Sequence, residues 1–156
     1  MNEMVHLLII IAGVYVATLG FAVLINVSPK YLNDGGIVGV AGYLVYLAYY
    51  TYIGGYVGGN VLGAFTLGIF GMIAARIKKA PVIIFNIPAL VPLVPGGQAY
   101  QVMKNIAMNK PRVAFGFLMQ VLMIAGSLAM GFLLAELVIQ LFNYSMRSMK
   151  RRRKTA

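Results

Sequence analysis

The residues able to do chemistry are few and unevenly placed. The densest group lies in Phe85-Asn-Ile-Pro-Ala-Leu-Val-Pro-Leu-Val-Pro-Gly-Gly-Gln-Ala-Tyr100. There Asn86, Gln98 and Tyr100 offer amide and hydroxyl groups, while Pro88, Pro92 and Pro95 interrupt the backbone. An interior proline has no N–H and clashes with the preceding turn, so each one costs a carbonyl its usual partner. In hydrocarbon an orphaned carbonyl costs several kcal/mol unless protein or water satisfies it, which places broken backbone against protein or a wet cavity. Transporters bind solutes near the midplane with such discontinuous helices. Gly96 and Gly97 would let a ligand approach the backbone closely. The competing reading of the segment is a kinked packing helix with no ligand.

Outside this segment the ionisable groups are sparse. Glu136 is the only acid within a long apolar stretch, where it is either a proton carrier or a hydrated interfacial group. His6 lies at the edge of the first apolar run, Lys30 and Asp34 read as a loop pair, and Arg76 stands where a helix end meets a basic loop and could receive an anion. The chain has no cysteine, one histidine and three acidic residues. That excludes a thiolate site or disulfide framework and leaves no material for a metal cage or a nucleophile–base pair. No enzyme, cofactor or metal centre is expected.

The elements that position these residues are membrane helices. Of the 156 residues 61% are hydrophobic and 10% charged, against roughly 45–50% and 25% in soluble domains. The mean hydropathy is +0.86. A soluble globule of this size cannot hide so much apolar surface. Charge-free runs then divide the chain, since a spanning helix needs about 20 apolar residues. The expectation is an all-α, polytopic membrane protein with about five segments, near 5–27, 37–53, 56–75, 81–100 and 113–142, the fourth Pro/Gly-broken or re-entrant. Residues 1–146 would form the transmembrane domain, with Gly54, Gly55, Gly58 and Gly59 turning the chain between the second and third segments. Residues 147–156 would form a basic cytoplasmic tail.

The net charge is +10, but Arg147, Lys150, Arg151, Arg152, Arg153 and Lys154 crowd one end of the chain. After a hydrophobic stretch such a tail reads as a contact with anionic lipid on the cytoplasmic side of the cell membrane, not as a nucleic-acid site. Five spans then place the N-terminus outside, and the basic loop at Lys104, Lys110 and Arg112 departs from that orientation. For packing, Gly55, Gly59 and Gly63 form a doubled GxxxG with Gly71 on the same face, and Ser127, Gly131 and Ala135 repeat the small-residue spacing. Tyr49 to Tyr56 fit an interfacial belt, whereas Tyr43, Tyr46 and Tyr50 form a deeper row able to line a polar path.

Five stretches, spread over nearly the whole chain, resemble one family. Phe85-Asn-Ile-Pro-Ala-Leu-Val-Pro-Leu-Val-Pro-Gly-Gly97 is similar to the isoleucine-proline…proline-leucine-valine-proline-glycine signature of the threonine/serine exporters of small-subunit type. Ala74-Ala-Arg-Ile-Lys-Lys-Ala-Pro81 resembles the basic loop that leads into it. Gly20-Phe-Ala-Val-Leu-Ile-Asn-Val-Ser-Pro-Lys-Tyr-Leu32 with Gly39-Val-Ala-Gly-Tyr-Leu-Val-Tyr46, and Ile124-Ala-Gly-Ser-Leu-Ala-Met-Gly131, complete the likeness. It implies a secondary exporter of small amino acids or short dicarboxylates that acts with a larger membrane subunit. Ala89 departs from the glycine that often follows the first proline, and Asn105 to Arg112 lacks the family's acidic residue. Independently, an odd number of segments without an internal repeat suggests half of a transporter, to be completed by a heteromer or a homodimer. The rival expectation is a scaffold subunit that does not itself transport.

Overall fold

In a computed structural model, which describes the backbone of residues 3–152 and the side chains of residues 4–144, the chain is helical throughout. Its elements are α1 (Glu3–Leu24), α2 (Pro29–Tyr52), α3 (Tyr56–Lys78), α4 (Ile83–Leu90), a 3₁₀ turn (Val91–Leu93), α5 (Gly96–Ala107) and α6 (Pro111–Arg152). The basic tail expected at 147–156 lies outside the residues whose side chains are described.

The connections follow from local chemistry. Three helices end by the same device, a left-handed residue that turns two amides back onto the last carbonyls. At α1 this residue is Asn26 (φ 59°), with the Asn26 amide donating to the Val23 carbonyl and the Val27 amide to the Ala22 carbonyl, both at 2.9 Å. Lys79 and Asn109 play the part after α3 and α5, where the Ala80 and Lys110 amides reach the Ala75 and Asn105 carbonyls at 3.0 and 2.8 Å. Asparagine tolerates this conformation, whereas a lysine there carries roughly 1–2 kcal/mol of strain. Between α2 and α3 the turn falls on Gly54 and Gly55 (φ 81° and 85°). Gly58 and Gly59, expected in that turn, are already helical.

Among the described residues three helices, α1, α3 and α6, are each long and apolar enough to cross a bilayer, and α4 with α5, bent by 54°, has the length and composition of a broken span or a re-entrant loop. The fifth segment, α2, has 24 residues, enough at ~1.5 Å per residue for a ~30 Å hydrocarbon core. Its tyrosines and glycines lower its hydropathy. It tolerates this because α1, α3 and α4 pack around it, so that protein covers much of its surface. Lys30 and Asp34 do not sit in a loop. Ser28 and Pro29 start α2 ahead of them, proline being well suited to a first turn that needs no amide donor. Asp34 pairs with Lys78 across the bundle at 2.9 Å, while Lys30 lies over the Tyr31 ring.

At the centre stands α3, in contact with α2, α4 and α6. The core consists of Val38, Ala64, Leu67, Ala89, Leu93, Ile124 and Leu128. Ala89 is fully enclosed there, so its methyl fills core volume. Large apolar side chains on the outer faces, such as Leu8, Val16, Leu133 and Leu137, stay exposed. In a bilayer those faces meet lipid tails.

Candidate functional site

The proline segment is a helix converted to tighter winding at its middle. Pro88 lies inside α4, Pro92 inside the 3₁₀ turn, and Pro95 caps α5. Pro92 has no N–H for the Pro88 carbonyl, so the Val91 amide donates to it instead. Pro95 likewise has none for the Val91 carbonyl, which accepts from the Val94 amide at 3.3 Å. Two carbonyls expected to be orphaned therefore keep partners one residue nearer, the i→i+3 pattern of a 3₁₀ turn. The price is curvature: the backbone becomes extended at Val94 (ψ 136°) and α5 leaves at 54°. The three prolines consequently do not share one continuous helical face.

A cavity of about 150 Å³ opens at this break, lined by Tyr43 and Tyr46 of α2, Asn60 of α3, Pro92–Pro95 and Gln98 of the broken segment, and Ile124 of α6. Four elements thus meet around hydroxyl, amide and backbone groups, with no charged residue in the wall. Tyr43 and Tyr46 lie 5.6 Å apart by ring centroids, and Tyr46 stacks on Tyr50 at 6.0 Å, so the tyrosine row leads from the cavity toward the end of α2.

Asn60 is the member of the site that sequence reading missed. It is 3% exposed, and its Nδ2 donates to the Tyr56 carbonyl at 2.7 Å. Because a carbonyl only accepts, this bond orients the amide and leaves Oδ1 as the acceptor available to the cavity. The signal was present: an amide inside an apolar span, beside Gly59 and Gly63 on the packing face. Such a group in a membrane needs a partner or a function.

The other candidates separate. Gln98 joins the cavity, and so do Pro92 and Pro95, whereas Pro88 is enclosed in α4. Tyr100 is 65% exposed and takes no part in the cavity wall. Gly96 and Gly97 open α5, and a Cβ built on either would meet nothing within 4 Å. Asn86 lies deeper against α3. Its Oδ1 is buried without a hydrogen-bond partner and occupies the space where a Gly71 side chain would be. In the packing stripe, Gly59 and Gly63 face α2, with a Cβ on Gly63 only 3.1 Å from the Gly42 carbonyl. Gly55 takes no part in that contact. It precedes the helix in the turn, with open space around it.

Glu136 belongs to a different place. It lines a pocket of about 400 Å³ with Arg76, Gln140 and Asn143, at the end of the bundle where α3 gives way to α4. Among the described residues no group of three His, Asp or Glu is placed to hold a metal.

Set beside known proteins, residues 10–138 match the family model described as Threonine/Serine exporter, ThrE. No curated protein and no solved structure matches the chain.

Proposed function

The chain belongs to the threonine/serine exporter family, and on that premise we propose that it is the small subunit of a secondary exporter of threonine, serine or related short organic acids. A larger membrane subunit completes the transporter. One observation carries this reading: the cavity at the helix break, walled by Tyr43, Tyr46, Asn60, Gln98 and residues Pro92–Pro95. A small polar solute must shed water to cross a bilayer. Hydroxyl and amide groups replace that water without the large desolvation cost of a buried charge.

In this reading the end of the bundle bearing Arg76, Lys78 and Lys79 faces the cytoplasm of a cell membrane, the N-terminus lies outside, and the basic tail rests on anionic lipid. Gly96 and Gly97 give a solute access to the start of α5, and Asn86 sits beside the path with an unpaired acceptor. The pairing with a larger subunit follows if α2 and the bent α4–α5 pair both cross, because five segments without an internal repeat then make one half of a two-repeat transporter.

The test is export of labelled threonine, serine and succinate from cells expressing the larger subunit with and without this chain. Export that requires both is expected. Export equally fast without this chain would contradict the reading and favour a scaffold.

A further inference from the structure

We propose that the pocket at the junction of α3 and α4 is a second, charged site that receives a zwitterionic amino acid, with Arg76 taking the carboxylate and Glu136 the ammonium. The inference rests on the transport reading and adds to it a discrimination between amino acids and dicarboxylates.

The pocket holds about 400 Å³ and brings Arg76 of α3 together with Glu136, Gln140 and Asn143 of α6. Each charge is steadied by a neutral amide. The Asn143 Oδ1 accepts from an Arg76 guanidinium nitrogen at 3.0 Å, and the Gln140 Nε2 donates to Glu136 Oε1 at 3.0 Å. Among the described residues the ion pair within 4 Å is Asp34–Lys78, so the two opposite charges of this pocket stand apart across its space. One of five guanidinium N–H groups and one of two carboxylate oxygens are engaged, and the rest remain available. A molecule carrying an acid group and an ammonium can bridge them with charge-assisted bonds at both ends. A dicarboxylate would satisfy Arg76 and bring its second charge against Glu136, which repels it.

The site is distinct from the neutral cavity. Asn60 and Arg76 are separated along α3 by about 24 Å at ~1.5 Å per residue, and Asn86 faces the helix between them at Gly71. Selection by charge at the mouth and passage through an uncharged site deeper in are thereby assigned to different residues. An ethanolamine lipid headgroup offers the same paired chemistry. The proposal commits to the free solute.

The test uses vesicles of phosphatidylcholine and phosphatidylglycerol containing the full chain with the larger subunit. Labelled-threonine counterflow is competed by unlabelled threonine and by 3-hydroxybutanoate, which is threonine without its ammonium. In the unaltered protein 3-hydroxybutanoate should compete about two- to fivefold less well, the scale of an ion pair at an exposed carboxylate. Glu136→Gln should bring the ratio close to one, whereas Arg76→Gln should weaken both competitors and keep the ratio. Because the ratio is taken within one preparation, protein abundance cancels. If a variant does not turn over, thermal protection of the purified complex by the same two solutes supplies the ratio. An unchanged ratio in Glu136→Gln overturns the proposal, as does a preference that arises only when ethanolamine lipid is added. No counterflow in the unaltered protein would instead strike the transport reading.

Discussion

Two sets of glycines occupy this bundle under opposite conditions. A Cβ on Gly131 of α6 would fall on the Val61 carbonyl, 2.7 Å from the Ala64 methyl and 2.9 Å from the Phe65 amide nitrogen. Gly42 and Gly63 are similarly closed at the contact of α2 with α3. Gly96 and Gly97 have nothing within 4 Å of that position. The first set lets helices approach in a solvent that offers no hydrophobic drive for association. The second serves no contact within the chain, yet it sits in the first turn of α5, where glycine weakens a helix by roughly 1 kcal/mol relative to alanine. Gly13, Gly20, Gly116 and Gly126 are equally open, but Gly96 and Gly97 alone of these adjoin the helix break, where the proposed function has a solute arrive.

That contrast can be broken experimentally. The largest effect is expected for Gly131→Ala. The obstructing atoms include α3 backbone, which cannot rotate away, so overpacking should cost about 1–3 kcal/mol and lower the thermal midpoint of the purified complex. Gly97→Ala should act in the other direction on stability, raising it by up to about 1 kcal/mol, because the position is helical and open. Threonine export should nevertheless fall several-fold at equal membrane abundance. Normal export by Gly97→Ala would remove the distinction between the two sets. The smallest effect is expected for Asp34→Asn. Its partner Lys78 is 41% exposed, and such pairs contribute about 0–1 kcal/mol, so thermal stability should hardly move and its change should shrink further in high salt.

Much of this architecture was legible in the residues. Apolar run length located the helices, and the Pro88, Pro92 and Pro95 spacing located the break, because both depend on local backbone chemistry and on the bilayer's thickness. What lay beyond reach depended on tertiary pairing. Lys30 and Asp34 read as a loop because charge marked a boundary, but Ser28 and Pro29 were the better signal that α2 had already begun. Asp34 finds Lys78 only once α2 and α3 fold as a hairpin. The doubled GxxxG placed Gly55 in a packing stripe by spacing alone, whereas its φ of 85° puts it in the turn. Asn60 has no backbone signature of the kind the prolines carry. Only the packed bundle brings it to face Gln98 across the break. The fate of the carbonyls was also out of reach, since a 3₁₀ turn and an orphaned α-helix call for the same prolines.

If a neutral cavity at the helix break takes the solute, as proposed, Asn60→Leu strikes at its wall. Leucine keeps the branch at Cγ and the number of side-chain heavy atoms, its extra bulk has the cavity to enter, and the Tyr56 carbonyl retains its helical partner, the backbone amide of residue 60. Stability should therefore hold while the cavity loses its amide oxygen. The measurement is the rate of labelled-threonine export at matched membrane abundance, expected to fall at least about tenfold, the cost of a lost buried hydrogen bond. Export at the unaltered rate would contradict the account.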